Sequence, residues 1–242
     1  MHQIVALWSL PRSRSTAFFR MMAERGDFHV LHEPFSNRAE FGHTDVAGHL
    51  VDSERALLAS IRSLAGRGPV FFKDTTDERY PGPLADVDFL ARDAVHTFLI
   101  RHPRDTIASY HALNPHVRRH QIGVAHLHEL YQRVTELTPC RPVVIDADDL
   151  VADPEATVRA YCDRIGIPYL PEALTWAPGD RVEWRSTARW HGDVRASTGF
   201  TADTGTHDVD VVDHPVLAGH LAHHLPFYQE LHRHRLIPHP AR

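Results

Sequence analysis

The sequence predicts a three-layer α/β fold: a central parallel sheet of about five strands, helices on both faces and a long C-terminal lid or loop region. Two observations carry this. Short apolar runs alternate with segments of helical spacing through the first two thirds of the 242 residues. The pattern then fades over residues 176–215, which are rich in Trp, Gly, Asp, Thr and Arg, and returns only near the C-terminus.

Ile4–Trp8 reads as a buried strand, followed by a turn-rich loop over Ser9–Ser15. Thr16–Glu24 has helical spacing, with Ala17, Phe18, Met21 and Met22 apolar. Phe28–Leu31 is a second strand, ended by His32-Glu33-Pro34, and residues 37–52 read as irregular. Ser53 caps a helix through Ala65, whose Leu57, Leu58, Ile61 and Leu64 form one stripe. Pro69–Phe72 is a third strand leading into Lys73, and Val95–Ile100 a fourth, closed by Arg101-His102-Pro103. Thr106–Leu113 and Val124–Leu137 are helical, and Pro142–Ile145 is the fifth strand. Asp153-Pro154 opens a helix to Ile165 with Gly166 at its end, and His214–Arg235 is an amphipathic helix. Ligands of such sheets sit at the carboxyl ends of the strands.

Composition narrows the function. With 43% hydrophobic and 24% charged residues the chain is of ordinary globular make-up. No apolar run approaches the ~18 residues of a membrane span. A net charge of −5, His taken as neutral, disfavours a general nucleic-acid binder. The N-terminal segment has no basic leader, and Cys140 and Cys162 form no framework, so the expected location is the reducing cytoplasm. Both thiols are expected in the core. Lys73 is the sole lysine. His220, His223 and His224 have metal-like spacing but lack an acidic ligand set, so they read as a solvated helical face and no metal is expected.

Two segments carry chemistry. Pro11-Arg12-Ser13-Arg14-Ser15-Thr16 lies between a strand and a helix, where backbone N–H groups, hydroxyls and two guanidinium groups can cradle an anion. The Walker pattern of glycines and lysine is absent. Arg101 stands at a strand end and Ser109 lies in the following helix; both suit a phosphate, and both also suit an ordinary structural role.

Together these segments resemble sulfotransferases that use 3′-phosphoadenosine-5′-phosphosulfate (PAPS). The Arg12–Thr16 loop resembles the family's 5′-phosphosulfate loop, and Arg101 with Ser109 its 3′-phosphate motif. Asp148–Thr157 followed by Gly166-Ile167-Pro168 is similar to its late strand–helix segment. The resemblance implies a P-loop-kinase-like sheet with the first strand central and a single domain over 1–242. Residues 1–170 would be its nucleotide-binding core, and 171–242 its lid loop and C-terminal helix. It implies transfer of a sulfuryl group from PAPS to a hydroxyl of a small-molecule acceptor, with PAP (the 3′,5′-bisphosphate) as the other product.

The sequence also departs from the well-known cytosolic members. Arg12 and Arg14 stand where those have Lys and Gly. Their Lys-x-His motif, which carries the catalytic base, is here Lys73-Asp74-Thr75. Their adenine-stacking aromatic is replaced by Ala17. Lys73 and Arg12 suit the charge on the leaving phosphate. Glu33 is the preferred base over its neighbour His32, as in branches that resemble this one; His102 and His111 follow. Glu33 pairing structurally with a loop Arg is the competing view. Arg195, Ser197 and Thr198, within Trp190–Phe200, match by order alone the late loop that completes the 3′-phosphate site, and the same segment can instead line the acceptor pocket. A phosphotransferase would need a Walker lysine and Mg²⁺ ligands, and a non-catalytic nucleotide-binding module would bind PAP without turnover.

Overall fold

The computed structural model describes residues 4–184, 192–201 and 209–238. In chain order the strands are β1 (Ile4–Ser9), β2 (His29–His32), β3 (Thr44–Val46), β4 (His49–Val51), β5 (Val70–Thr75), β6 (Ala94–Ile100) and β7 (Val143–Asp146). The α-helices are α1 (Ser15–Glu24), α2 (Pro34–Phe41), α3 (Glu54–Ala65), α4 (Pro81–Ala85), α5 (Pro103–Leu113), α6 (Val124–Leu137), α7 (Ala147–Ala152), α8 (Pro154–Ile165), α9 (Gly192–Ala196) and α10 (Leu217–Arg233). Five strands form one parallel sheet in the order β2-β5-β1-β6-β7, with β1 central as expected.

β1 is buried along its whole length because both of its faces are apolar. Ile4, Ala6 and Trp8 point into a core shared with α3, α6 and α10, while Val5 and Leu7 point into one shared with α1 and α8. In the first core the Trp8 indole N–H donates to His96 Nδ1 at 3.0 Å, and His96 Nε2 lies 3.1 Å from the Phe89 carbonyl. His96 is therefore a neutral ring with its proton on Nε2, and burial lowers its pKa to about 4.

Four expectations are corrected. Residues 37–52 are not irregular: α2 starts with Pro34 in its first turn and ends at Gly42, whose φ of 78° suits the left-handed cap. β3 and β4 then form a hairpin whose two-residue turn, Ala47-Gly48, has φ of 53° and 87°. The C-terminal helix starts at Leu217, because His214 Nδ1 accepts the Val216 and Leu217 N–H groups and turns the chain before it. That helix belongs to the first core through Leu217 and Leu231, and Leu236 N–H donates to the Val144 carbonyl at the sheet edge. Its histidines are only partly a solvated face: His223 is exposed, but His224 is buried and lies 2.7 Å from the Arg119 carbonyl, and His220 lies 3.3 Å from that of Val117. Among the described residues no group of three or more His, Cys, Asp or Glu is arranged to hold a metal ion. Cys162 is buried as expected, but Cys140 is exposed. No helix among the described residues is long and apolar enough to cross a membrane.

Candidate active site

The segments that follow β1, β2, β5 and β6 open on one cavity of about 1120 Å³. Its lining divides by charge. The side built after β1 and β6 and by residues 194–201 carries Arg12, Arg14 and Arg101, and no carboxylate among its described lining residues. The side built after β2 and β5 carries Glu33, Glu40, Glu54, Asp77 and Glu78 against Arg38, Lys73 and Arg79. Arg79 is turned to Glu129, which it meets with two hydrogen bonds of 2.8 and 2.6 Å.

On the first side, Arg12 and Arg14 both adopt left-handed backbone conformations, with φ of 59° and 66°. Ser13 between them is not at positive φ. Such alternation turns successive N–H groups toward one concavity that suits an anion. It costs roughly 1–3 kcal/mol per non-glycine residue, which the surrounding structure must impose. Ser13 Oγ donates to the Leu10 carbonyl at 2.6 Å, Arg101 Nη1 donates to the Arg12 carbonyl at 3.0 Å, and Arg12 Nε donates to Ser109 Oγ at 3.0 Å. Arg14 Nη1 reaches across the mouth to the Thr201 carbonyl at 2.7 Å. The N-terminus of α1 has no side-chain cap and opens beside the same concavity, with the Ala17 N–H bonded to the Arg14 carbonyl.

On the second side, Glu33 follows β2 in a left-handed conformation (φ 50°, ψ 48°) as the N-cap of α2. Its N–H extends the β2–β5 ladder to the Lys73 carbonyl at 2.7 Å. That register brings the Lys73 ammonium onto the Glu33 carboxylate in a short, buried ion pair. Asp74 fastens the helix from below: its carboxyl accepts the N–H groups of Phe35 (2.6 Å), Ser36 (3.1 Å) and Thr75 (3.0 Å). Burial and the Glu33 charge push Asp74 up, to about 8, against the pull of those donors. Asp77 is likewise raised to about 6, chiefly by burial, with Glu33 and Glu78 adding to it. Burial also holds the Tyr80 phenol well above its usual range.

The residues expected at the site are only partly brought together. Arg12, Arg14, Ser15, Thr16, Glu33, Lys73, Arg101 and Ser197 line the cavity. Ser13 and Ser109 do not; they are buried braces of the loop and of Arg12. His32 is buried and does not line the cavity: it packs edge-to-face on Phe19 (4.9 Å) and Trp184 (5.8 Å), with Nδ1 3.8 Å from Glu33 Oε2. His102 packs on Tyr228 and His111 on His214, and neither lines the cavity. Arg195 is exposed, 3.8 Å from Asp180, and Thr198 is turned from the cavity, its carbonyl accepting the Trp176 N–H. Trp190 and His191 lie outside the described residues. The sequence reading did not single out Thr75, Asp77, Tyr80 and Ser36, which line the cavity, and it placed Phe200, which also does, only within the Trp190–Phe200 segment. Lys73-Asp74-Thr75-Thr76-Asp77 runs off a strand end, the signal that was available for two of them.

A family model described as a sulfotransferase domain matches residues 2–235. The chain belongs to the sulfotransferase domain family. Two curated relatives from Arabidopsis thaliana align over 210 residues, or 83% of this domain: branched-chain-amino-acid aminotransferase-like protein 2 at 30% identity and protein 1 at 29%. The alignments cover 36% and 37% of those proteins, so the chain spans about a third of their length. Among solved structures, a sulfotransferase from Alicyclobacillus acidocaldarius shares the fold with a TM-score of 0.50 at 13% identity, over 81% of this chain and 97% of that one. The sulfotransferase domain from the curacin biosynthetic pathway gives a TM-score of 0.47 at 19% identity, over 98% and 99%.

Proposed function

We propose that this sulfotransferase moves the sulfuryl group of PAPS to a hydroxyl of a small-molecule acceptor and releases PAP and a sulfate ester. The observation that carries the reading is the two-sided cavity: an arginine-and-amide cradle faces a buried carboxylate–lysine pair across one space. The loop amides with Arg12 and Arg14 hold the 5′-phosphosulfate, and Arg101 holds the 3′-phosphate. Phe200, packed at 5.6 Å on Trp176, supplies the stacking face for adenine that Ala17 does not.

In the transfer, the acceptor oxygen forms its bond to sulfur as the bond from sulfur to the phosphate oxygen breaks. Glu33 takes the acceptor's proton. The charge that develops on the leaving phosphate falls on Lys73, Arg12 and the loop amides, which are in place before the reaction starts. These fixed cations take the part that Mg²⁺ plays in phosphoryl transfer.

The test is release of PAP from PAPS in the presence of mixed hydroxyl acceptors and EDTA. Turnover is expected to be unaffected by EDTA. Turnover that needs Mg²⁺ and accepts ATP as donor would overturn the proposal in favour of a phosphotransferase.

A further inference from the structure

The second side of the cavity has a hydrogen-bond polarity as well as a charge. Three hydroxyls line it beside Asp77: Ser36, Thr75 and Tyr80. They make four close contacts among themselves and with their surroundings. Thr75 Oγ1 donates to Asp77 Oδ1 at 2.7 Å, and the Tyr80 hydroxyl donates to the Thr75 carbonyl at 2.8 Å. Ser36 Oγ lies 2.9 Å from Thr75 Oγ1 and 2.8 Å from the Tyr80 hydroxyl.

Each hydroxyl has one proton, so three protons serve only three of these contacts at a time. Those of Thr75 and Tyr80 are committed to Asp77 and to the backbone, and that of Ser36 to Thr75, to Tyr80 or to the Asp74 carboxyl, which the Ser36 side chain also meets. Every hydroxyl proton is thus used inside the wall, and the wall presents lone pairs to the cavity. Asp77 adds a carboxylate, and Glu33 adds the proton-accepting group of the proposed reaction. The cations on this side have partners of their own, and the proposed reaction assigns Lys73 also to the leaving phosphate. Lys73 is bonded to Glu33, Arg79 to Glu129, and Arg38 donates to the Asp52 carbonyl and lies 4.0 Å from Glu54.

We infer that the sulfuryl acceptor is a donor-rich small molecule, one that carries an O–H or N–H group beside the hydroxyl it presents, as a polyol or an amino alcohol does. This rests on the proposed function for the role of the cavity but not for its polarity. A simple phenol or an alkanol has one O–H, which the reaction itself consumes, and would leave Asp77, Thr75 and Ser36 facing carbon. Unpaired lone pairs in a buried wall reject such a ligand more strongly than a matched wall attracts its own. Asp77 separates the two donor sources. The groups acting on it are Glu33 and Glu78, both raising its pKa, together with the Thr75 hydroxyl, which lowers it. Below about pH 6 it carries a proton and offers less to a cation. Above that value it is ionised, so affinity for an ammonium grows as pH rises through 6 while affinity for a neutral polyol changes little.

Ligand binding to the intact chain, read by saturation-transfer NMR and titration with and without PAP, tests this independently of turnover. The probes are glucosamine, methyl glucoside, phenol and 1-hexanol. The sugar probes are expected to bind at least tenfold more tightly than phenol and hexanol. Thr75→Val and Ser36→Ala should each weaken them by about 3–10-fold, the worth of one hydrogen bond, with PAP affinity unchanged. Glucosamine binding that strengthens between pH 5 and 7 assigns an ammonium; binding of both sugars that is flat with pH assigns a polyol. Phenol or hexanol binding as well as the sugars, or no sugar binding by a chain that binds PAP, overturns the inference. Failure to bind PAP, with sugar binding intact, overturns the proposed donor and leaves the polarity of the wall standing.

Discussion

Glu33→Gln is expected to lower kcat by about 10²–10⁴-fold, the usual worth of a positioned general base, while PAP affinity stays nearly constant. The substitution keeps size and polarity but removes the basicity proposed to take the acceptor's proton. If Glu33 is that base, the acid limb of the kcat profile should disappear with it. Steady-state kinetics from pH 5 to 9 check both points. His32→Gln is the matched control: His32 is packed on Phe19 and Trp184 and does not line the cavity, so its loss should reach the rate only indirectly and cost less. An active Glu33→Gln enzyme with its acid limb intact would move the base to another lining carboxylate, with Asp77 first.

Lys73→Met is expected to have the largest combined effect on rate and stability. Its ammonium, 1% exposed, is bonded to a Glu33 carboxylate that is 12% exposed. Removing one partner of such a buried pair strands the other, at a cost of about 3–5 kcal/mol, less here by whatever Glu33 recovers from its remaining exposure. For a chain of this size 3 kcal/mol is a fall in Tm of about 6–12 °C. The rate should fall as well, since Lys73 is proposed to meet the leaving phosphate. The double variant Lys73→Met, Glu33→Gln separates the two effects. It should regain much of the lost Tm, because no stranded charge remains, and stay inactive. Thermal melts of the single and double variants decide this; equal melting points for all three proteins would show that the pair is not an energetic unit.

The sheet was legible because its strands are apolar on both faces and its helices carry stripes at Leu57–Leu64 and Leu127–Val134. That Lys73, Glu33, Arg12, Arg14 and Arg101 line one cavity was legible because strand ends are where such sheets place polar chemistry. What escaped was set by packing rather than by letters. Nothing in His32-Glu33 says which side chain turns to the cavity; Phe19 and Trp184 decide that from 13 and 152 positions away. Ser13 and Ser109 have the right chemistry for a phosphate, but their hydroxyls bond the Leu10 carbonyl and Arg12 behind the arginines that line the cavity. Arg195 was placed by order along the chain, and its pairing with Asp180 depends on how the loop closes on itself. The Ser36–Thr75–Tyr80 wall depends on α2, whose short span was hidden in a stretch with no apolar period.

Calorimetric titration with PAP and with ADP tests the nucleotide assignment most directly. The two ligands carry two phosphates each and differ in where the second one sits: on the 3′ oxygen in PAP, the position assigned to Arg101, and on the 5′-phosphate in ADP. A charge-assisted phosphate contact worth about 1.5–3 kcal/mol predicts that PAP binds about 10–100-fold more tightly than ADP, and that Arg101→Ala removes most of that difference while ADP affinity moves little. Equal affinities of the unaltered protein for PAP and ADP would contradict the account.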